Sequence, residues 1–224
     1  MIVYGRQPVA ELLRSRRRRA LQIWATKDPG VPFQRATTDQ LTARAGTDAH
    51  QGIVADAEPY PYAGAADLLG AARGLVIVLD EVQDPQNLGA VCRTAEVAGA
   101  LGVVIPERRA VDVTPAVCKA SAGAVEHLAV ARVRNIADFL AEAKTAGFWC
   151  YGAAADAASN AFAVDWPECV ALVLGAEGKG LRPRVAKACD QLVSVPMRGR
   201  LGSLNVSATA AVLTYLAMQR EFLP

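Results

Sequence analysis

The sequence predicts an α/β protein, in which a small N-terminal α/β module precedes a larger domain built on a mainly parallel sheet. Three observations carry the prediction. From Gly74 onward, apolar runs such as LVIVLD (75–80), LGVVIP (101–106) and CVALVLG (169–175) recur, and an uninterrupted apolar run suits a strand buried on both faces. Helix-patterned segments separate these runs, and strands alternating with helices specify parallel pairing. A different texture comes before them: residues 1–57 mix short strands with a basic helix, and EPYPYAGAA (58–66) punctuates the chain with proline and glycine.

Taken in order, GRQPVAELLRSRRRR places Val9, Leu12 and Leu13 at helical spacing among basic residues. ALQIWA (20–25) and GIVADA (52–57) read as strands. Residues 1–57 thus form one module, 58–73 a linker and 74–224 a second domain. In that domain Asn87 to Gly99 reads as a helix ended by its glycine. Residues 115–124, 135–146 and 205–221 read as further helices, and FWCYGAA (148–154) and QLVSVP (191–196) as further strands.

Composition narrows the class. Hydrophobic residues make up 52% of the 224 and charged residues 21%, which excludes a disordered chain. Aromatic content of 6% argues against a surface that stacks many bases on rings. The net charge of +2 is small, but its distribution is uneven. Residues 1–73 hold ten Lys/Arg against seven Asp/Glu, and Arg16 to Arg19 are consecutive. That run reads either as a solvated helix face or as a grip on a polyanion. Five cysteines without a CxxC pair suggest neither a disulfide framework nor a metal site. The opening MIVYGRQP has no apolar signal core, and no apolar run approaches the ~20 residues of a membrane span. A cytoplasmic protein with no membrane partner is expected. His50 and His127 read as structural, because two histidines alone make a poor metal site.

Three loops directly follow apolar strands: DEVQDPQN (80–87), GAEGKG (175–180) and PMRGRLGSLN (196–205). In open parallel sheets ligands bind at such carboxyl ends. GAEGKG is not a phosphate-binding P-loop, because Lys179 is followed by glycine and not by Ser or Thr. Asn87, Ser203 and Asn205 stand at helix entrances, where they read as caps, as ligand contacts or as both. Arg93 reads equally as a solvated residue or as a functional one.

NLGAVCR, LVLGAEGKGL and VSVPMRGRLGSLNVS, in this order, resemble the three motifs of the SpoU (TrmH-like) 2′-O-ribose methyltransferases. CKASAGAVEHL (118–128) is similar to the stretch between the first two motifs. The likeness runs from about Leu75 to the C-terminus. VYGRQPVAELL and HQGIVA resemble the two ends of the small substrate-binding module of family members that methylate a guanosine of 23S ribosomal RNA. One departure stands out: between Trp24 and His50 the segment reads as too short for the helix usual there.

The resemblance implies a C-terminal trefoil knot, a homodimer with the active site near the subunit interface, S-adenosylmethionine as cofactor and ribosomal RNA as partner. It assigns Gly175, Glu177, Gly178, Val195, Met197, Ser203 and Leu204 to the cofactor, and Asn87, Arg93, Glu177, Ser203 and Asn205 to catalysis. RNA phosphates are expected at Arg14, Arg16, Arg17, Arg18, Arg19, Arg108 and Arg109. Three readings compete. A family member acting on transfer RNA or on another ribosomal nucleotide is disfavoured by the extra N-terminal module. A non-catalytic RNA-binding relative is disfavoured by the complete polar set. A nucleotide-cofactor oxidoreductase is disfavoured by the missing GxGxxG in the first strand–helix loop.

Overall fold

The computed structural model describes residues 1–222; the last two residues of the expected 74–224 domain lie outside the described residues. The N-terminal module consists of β1 (Ile2–Tyr4), α1 (Arg6–Ser15), β2 (Ala20–Ala25), β3 (Gln34–Arg35), α2 (Thr38–Ala45) and β4 (Ile53–Ala57). Its sheet runs β1-β4-β2-β3. The segment between Trp24 and His50 does hold a helix, contrary to expectation. α2 needs only eight residues because a capping box, Thr37 with Gln40, satisfies its first turn and Gly46 closes it in a left-handed conformation.

The C-terminal domain comprises β5 (Gly74–Asp80), α3 (Pro85–Ala98), β6 (Gly102–Pro106), α4 (Pro115–Ala120), β7 (Val130–Val133), α5 (Ile136–Thr145), β8 (Trp149–Ala153), β9 (Ser159–Asn160), β10 (Cys169–Gly175), α6 (Pro183–Ala188), β11 (Gln191–Ser194), α7 (Val206–Ala217) and α8 (Gln219–Phe222). Seven strands form one sheet in the order β7-β6-β5-β10-β8-β11-β9, and every pairing is parallel. β5 and β10 lie at its centre. Val76, Ile77, Val78, Leu172 and Val173 are fully buried, as the continuous apolar runs require. Helix lengths depart from expectation in two places: the 115–124 helix ends at Ala120 and the 205–221 helix breaks at Met218. Among the described residues no helix is long and apolar enough to cross a membrane.

Residues 58–73 are not a free linker. The Tyr60 hydroxyl, buried, reaches the carbonyls of Val125 and Leu128 at 3.0 Å each. Ala63 bridges to Ala131, and Leu68 packs beneath the sheet. The apolar core runs without interruption from Val3, Leu12 and Ile23 to Leu88, Val117 and Leu213. At the seam sits a buried ion pair. Arg18 donates from Nη2 and Nε to the Glu126 carboxylate at 2.5 and 3.0 Å, and from Nη1 to the Glu58 carbonyl at 2.8 Å.

A buried charge whose partner is removed has nothing to offset its lost hydration, a cost of about 3–5 kcal/mol. Glu126→Ala is expected to lower the unfolding free energy by that order in a urea titration. A loss below about 1 kcal/mol would show that the pair does not join the two parts.

Candidate active site

The ends of β8, β10 and β11 and the start of α7 enclose a cavity of about 430 Å³. The loop after β10 forms one wall through a tight return. Gly180 donates to the Ala176 carbonyl at 2.9 Å. The strands of this return run so close that a Cβ on Gly175 would lie 2.1 Å from the Gly180 carbonyl carbon. Gly178 and Gly180 take φ of 73° and 65°, which glycine adopts without the Cβ clash. Arg182 then pins the returning chain to the end of β5. Its Nη2 and Nε lie 2.6 and 2.7 Å from one oxygen of the buried Asp80, and its backbone N–H meets the other at 2.9 Å. The hydrogen bond to Asp80 raises the guanidinium pKa above its ordinary value.

Asn205 joins the three motifs. Its Oδ1 caps α7 by accepting from the Ser207 backbone N–H at 2.8 Å. Its Nδ2 donates to Asn87 Oδ1 at 3.0 Å and to the Glu177 carboxylate. Asn87 does not cap α3, which corrects one of its two readings: Pro85 opens the helix, and Asp84 caps it by accepting from Gln86 N–H at 2.9 Å. Asn87 lies one turn inside, buried, with its side chain aimed at Asn205.

Gly175, Glu177, Gly178, Val195, Met197, Ser203 and Leu204 all line the cavity. So do Ala153 at the end of β8, Ala154 and Ala155 just past it, and Thr209 and Leu213 of α7, none of them anticipated. Alanine carries no chemical signal; the available clue was the position of these residues just past a strand end. Arg93 is not brought to the cavity. It stands six residues beyond Asn87 on α3, about 9 Å along the axis and turned to another face. There it is exposed in a separate cleft of about 470 Å³, with Gln7 and Glu11 of α1 and His127 on the other side.

The arginine run does not continue α1 as a helix face. Arg16 ends the helix with φ of 55°, and Arg16 to Arg19 follow as irregular chain. Arg18 is 4% exposed and committed to Glu126, so the expectation that it meets RNA is overturned. Arg14 pairs with Glu11 at 2.6 Å and Arg19 with Glu58 at 2.7 Å, while Arg17 donates to the Leu128 carbonyl at 2.6 Å. Arg16 is exposed. Arg108 and Arg109 are exposed just past β6, with Arg109 3.4 Å from Glu81. His50 accepts from Gly52 N–H at 3.0 Å and meets the Thr42 hydroxyl, and His127 meets Glu11 at 2.9 Å.

Because the Gly175 contact is with backbone, no side-chain movement can relieve it. Gly175→Ala should therefore lower the melting temperature and speed amide exchange across residues 176–182. Unchanged exchange there would show that the return tolerates a Cβ.

Comparisons with known proteins agree with this geometry. The family profile described as SpoU rRNA methylase matches residues 74–215, and that for RNA 2′-O ribose methyltransferase substrate binding matches residues 2–63. A putative TrmH family tRNA/rRNA methyltransferase of Bacillus subtilis is 40% identical over 95% of this chain and 93% of its own length. The 23S rRNA (guanosine-2′-O-)-methyltransferase RlmB of Ralstonia nicotianae is 41% identical over 94% of this chain and 87% of its own. Among solved structures, an AdoMet-bound rRNA methyltransferase of Sinorhizobium meliloti superposes with a TM-score of 0.85 at 24% identity, over all of this chain and 88% of that one. The SpoU methyltransferase AviRb of Streptomyces viridochromogenes, in complex with AdoMet, superposes with a TM-score of 0.83 at 21% identity, over 99% of this chain and 90% of that one. With both profiles matched in order and the motif residues gathered at one sheet end, the chain belongs to the SpoU rRNA methylase family and is a methyltransferase.

Proposed function

We propose that the chain methylates the 2′-hydroxyl of a guanosine ribose in 23S ribosomal RNA, using S-adenosylmethionine, in the cytoplasm. The observation that carries the reaction is the junction at Asn205, which ties all three motifs to one cavity. The cavity suits the cofactor. Its 430 Å³ lies in the ~300–1,000 Å³ range of small-molecule sites. Leu174, Val193, Val195 and Leu213 offer apolar walls, the glycine return offers close backbone, and Glu177 and Ser203 offer polar groups. The ribosomal target is supported by the N-terminal module and by the Ralstonia relative. The Bacillus relative's description leaves transfer RNA as a second substrate class.

Bound there, S-adenosylmethionine supplies a methyl group already activated by its sulfonium. The chain has to place a ribose hydroxyl in line with that carbon, and alignment alone contributes about 7–11 kcal/mol in favourable cases. Transfer would join the ribose oxygen to the methyl carbon, release S-adenosylhomocysteine and pass the hydroxyl proton to water. Arginine is a poor base, with a pKa above ~12. Arg93 instead holds the neighbouring phosphate and stabilises the developing alkoxide.

Arg93 lies outside its own chain's cavity, so a second copy has to supply it. This supports the homodimer. Apolar side chains stand exposed, with Val97 at the cleft of Arg93 64% and Leu201 81% exposed, and Tyr215 stacked on Phe222 at 5.3 Å. A trefoil knot belongs to the same reading, supported by the Asn205–Glu177 contact that brings the 196–205 segment against the 175–180 return. RNA contacts at the exposed Arg16, Arg108 and Arg109 are part of the same reading, whereas Arg14, Arg17 and Arg19 are taken up by partners within the chain.

The test is transfer of labelled methyl from S-adenosylmethionine to transcribed 23S rRNA, with the product nucleotide mapped. Arg93→Ala should keep cofactor binding in calorimetry and lose nearly all single-turnover transfer, while Arg93→Lys keeps part. Near-wild-type transfer by folded Arg93→Ala sinks this mechanism. Val97→Glu with Tyr215→Glu should give a monomer in sedimentation; a dimer that persists places the interface elsewhere.

A further inference from the structure

The fold holds most of the arginine run with its own partners, Arg16 excepted, and leaves several cations around α1 without a carboxylate. Arg14, Arg18 and Arg19 of the arginine run are paired with carboxylates, and Arg17 is held by a carbonyl. Arg6, Lys27, Lys119 and Arg93 form no ion pair among the described residues.

These four border α1 and its start. Arg6 and Lys27 line a cleft of about 710 Å³ between α1 and the turn after β2. Lys119 reaches the same corner from α4. Its Nζ lies against Gly5, where an added Cβ would stand only 2.6 Å from it. Gln7, next to Arg6 in sequence, lines the cleft that holds Arg93. Arg6 itself is oriented by Gln51, whose side-chain oxygen accepts from its backbone N–H at 3.1 Å and whose carbonyl lies 3.3 Å from its Nε.

Burial draws the Lys119 ammonium below the usual lysine pKa, the state of a cation partly withdrawn from water with no counter-ion beside it. The carboxylates nearby do not supply one. Asp28 accepts from Gly30 N–H at 2.8 Å, Glu11 is taken by Arg14, Gln7 and His127, and Glu96 stands one turn beyond Arg93. A row of unpaired cations beside a nucleotide-sized cleft fits a polyanionic strand better than an acidic protein face, which would bring its own desolvation cost at Lys119 without the regular charge spacing.

Resting on the RNA-methylation reading above, we propose that Lys27, Arg6 and Lys119 hold phosphates of the RNA strand that leads to the nucleotide at Arg93. Arg14, Arg17, Arg18 and Arg19 serve the protein's own architecture in their place.

The full chain is titrated with transcribed 23S rRNA by filter binding from 50 to 200 mM salt. Each phosphate contact adds about 0.7–0.9 to the slope of log K against log salt. The triple variant Lys27→Gln, Arg6→Gln, Lys119→Gln should weaken binding about tenfold or more and flatten the slope by about two. The control pair Arg14→Gln, Arg19→Gln, both already paired with carboxylates, should move each much less. Circular-dichroism melting reports folding. Should the Arg6 change unfold the module, the Lys27→Gln, Lys119→Gln pair alone should still flatten the slope by more than the control. Equal effects of the two sets, or a larger effect of the control, overturn the proposal. Wild-type protein that binds rRNA with this salt dependence yet transfers no methyl group refutes the functional reading and leaves the track standing.

Discussion

Arg18 and Glu126 meet in the interior, 108 residues apart in sequence, and their contact sets where the N-terminal module sits on the C-terminal domain. The same guanidinium holds the Glu58 carbonyl, so the connecting segment is fastened at the point where it leaves the module. Two charges withdrawn from water are tolerated only when their hydrogen-bonding capacity is met, and Arg18 finds a carboxylate and a carbonyl, with the Cys118 sulfur at 3.8 Å. Burial, with the Glu126 charge next in weight, in turn pushes the Cys118 thiol up to about 12, so this junction holds a neutral thiol and not a reactive one. A consequence is geometric: the cleft of Arg93 has one wall from each part, and its width follows from how they are joined.

A second constraint acts at the sheet's carboxyl end. Asn205 is at once a helix cap and a link between Asn87 and Glu177. Its two roles use opposite ends of one amide, the oxygen accepting and the nitrogen donating, so aspartate would keep the cap and lose the link. Arg182 with Asp80 does comparable work for the glycine return, fixing it by both side chain and backbone. The cavity is therefore bounded by loops that are tied to the sheet and to each other.

Much of this was legible in the sequence. The buried strands announced themselves as apolar runs, and two of the three polar loops that follow them line one cavity, with Asn87 of the third bonded to its wall at Asn205. What escaped had physical reasons. β7 (VARV) and α6 (PRVAKA) are too short for periodicity to register. The alanines after β8 bear no chemistry. Arg18 looked like its neighbours because sequence does not show which arginine of four meets a glutamate 108 residues away. Asn87 looked like a cap because Asp84-Pro85, the true start, lies just before it. α2 was missed although Thr37 and Gln40 stood at capping-box spacing, since the length of the segment weighed more than its end signal.

The placement of β10 bears on how the molecule is made. Cys169 pairs with Gly74, 95 residues earlier, and β10 lies between β5 and β8 at the middle of the sheet. Pairing over such a distance forms slowly, because the chain loses its loop entropy before the contact rewards it. On the ribosome the N-terminal module can complete its sheet once β4 has emerged. The central strand of the larger sheet then arrives only after three-quarters of the chain has been made. Until then β5 has an open edge, rich in valine and leucine, with β6 on one side only. The same feature that centres the site in the sheet thus leaves a half-sheet with an unpaired apolar edge during synthesis.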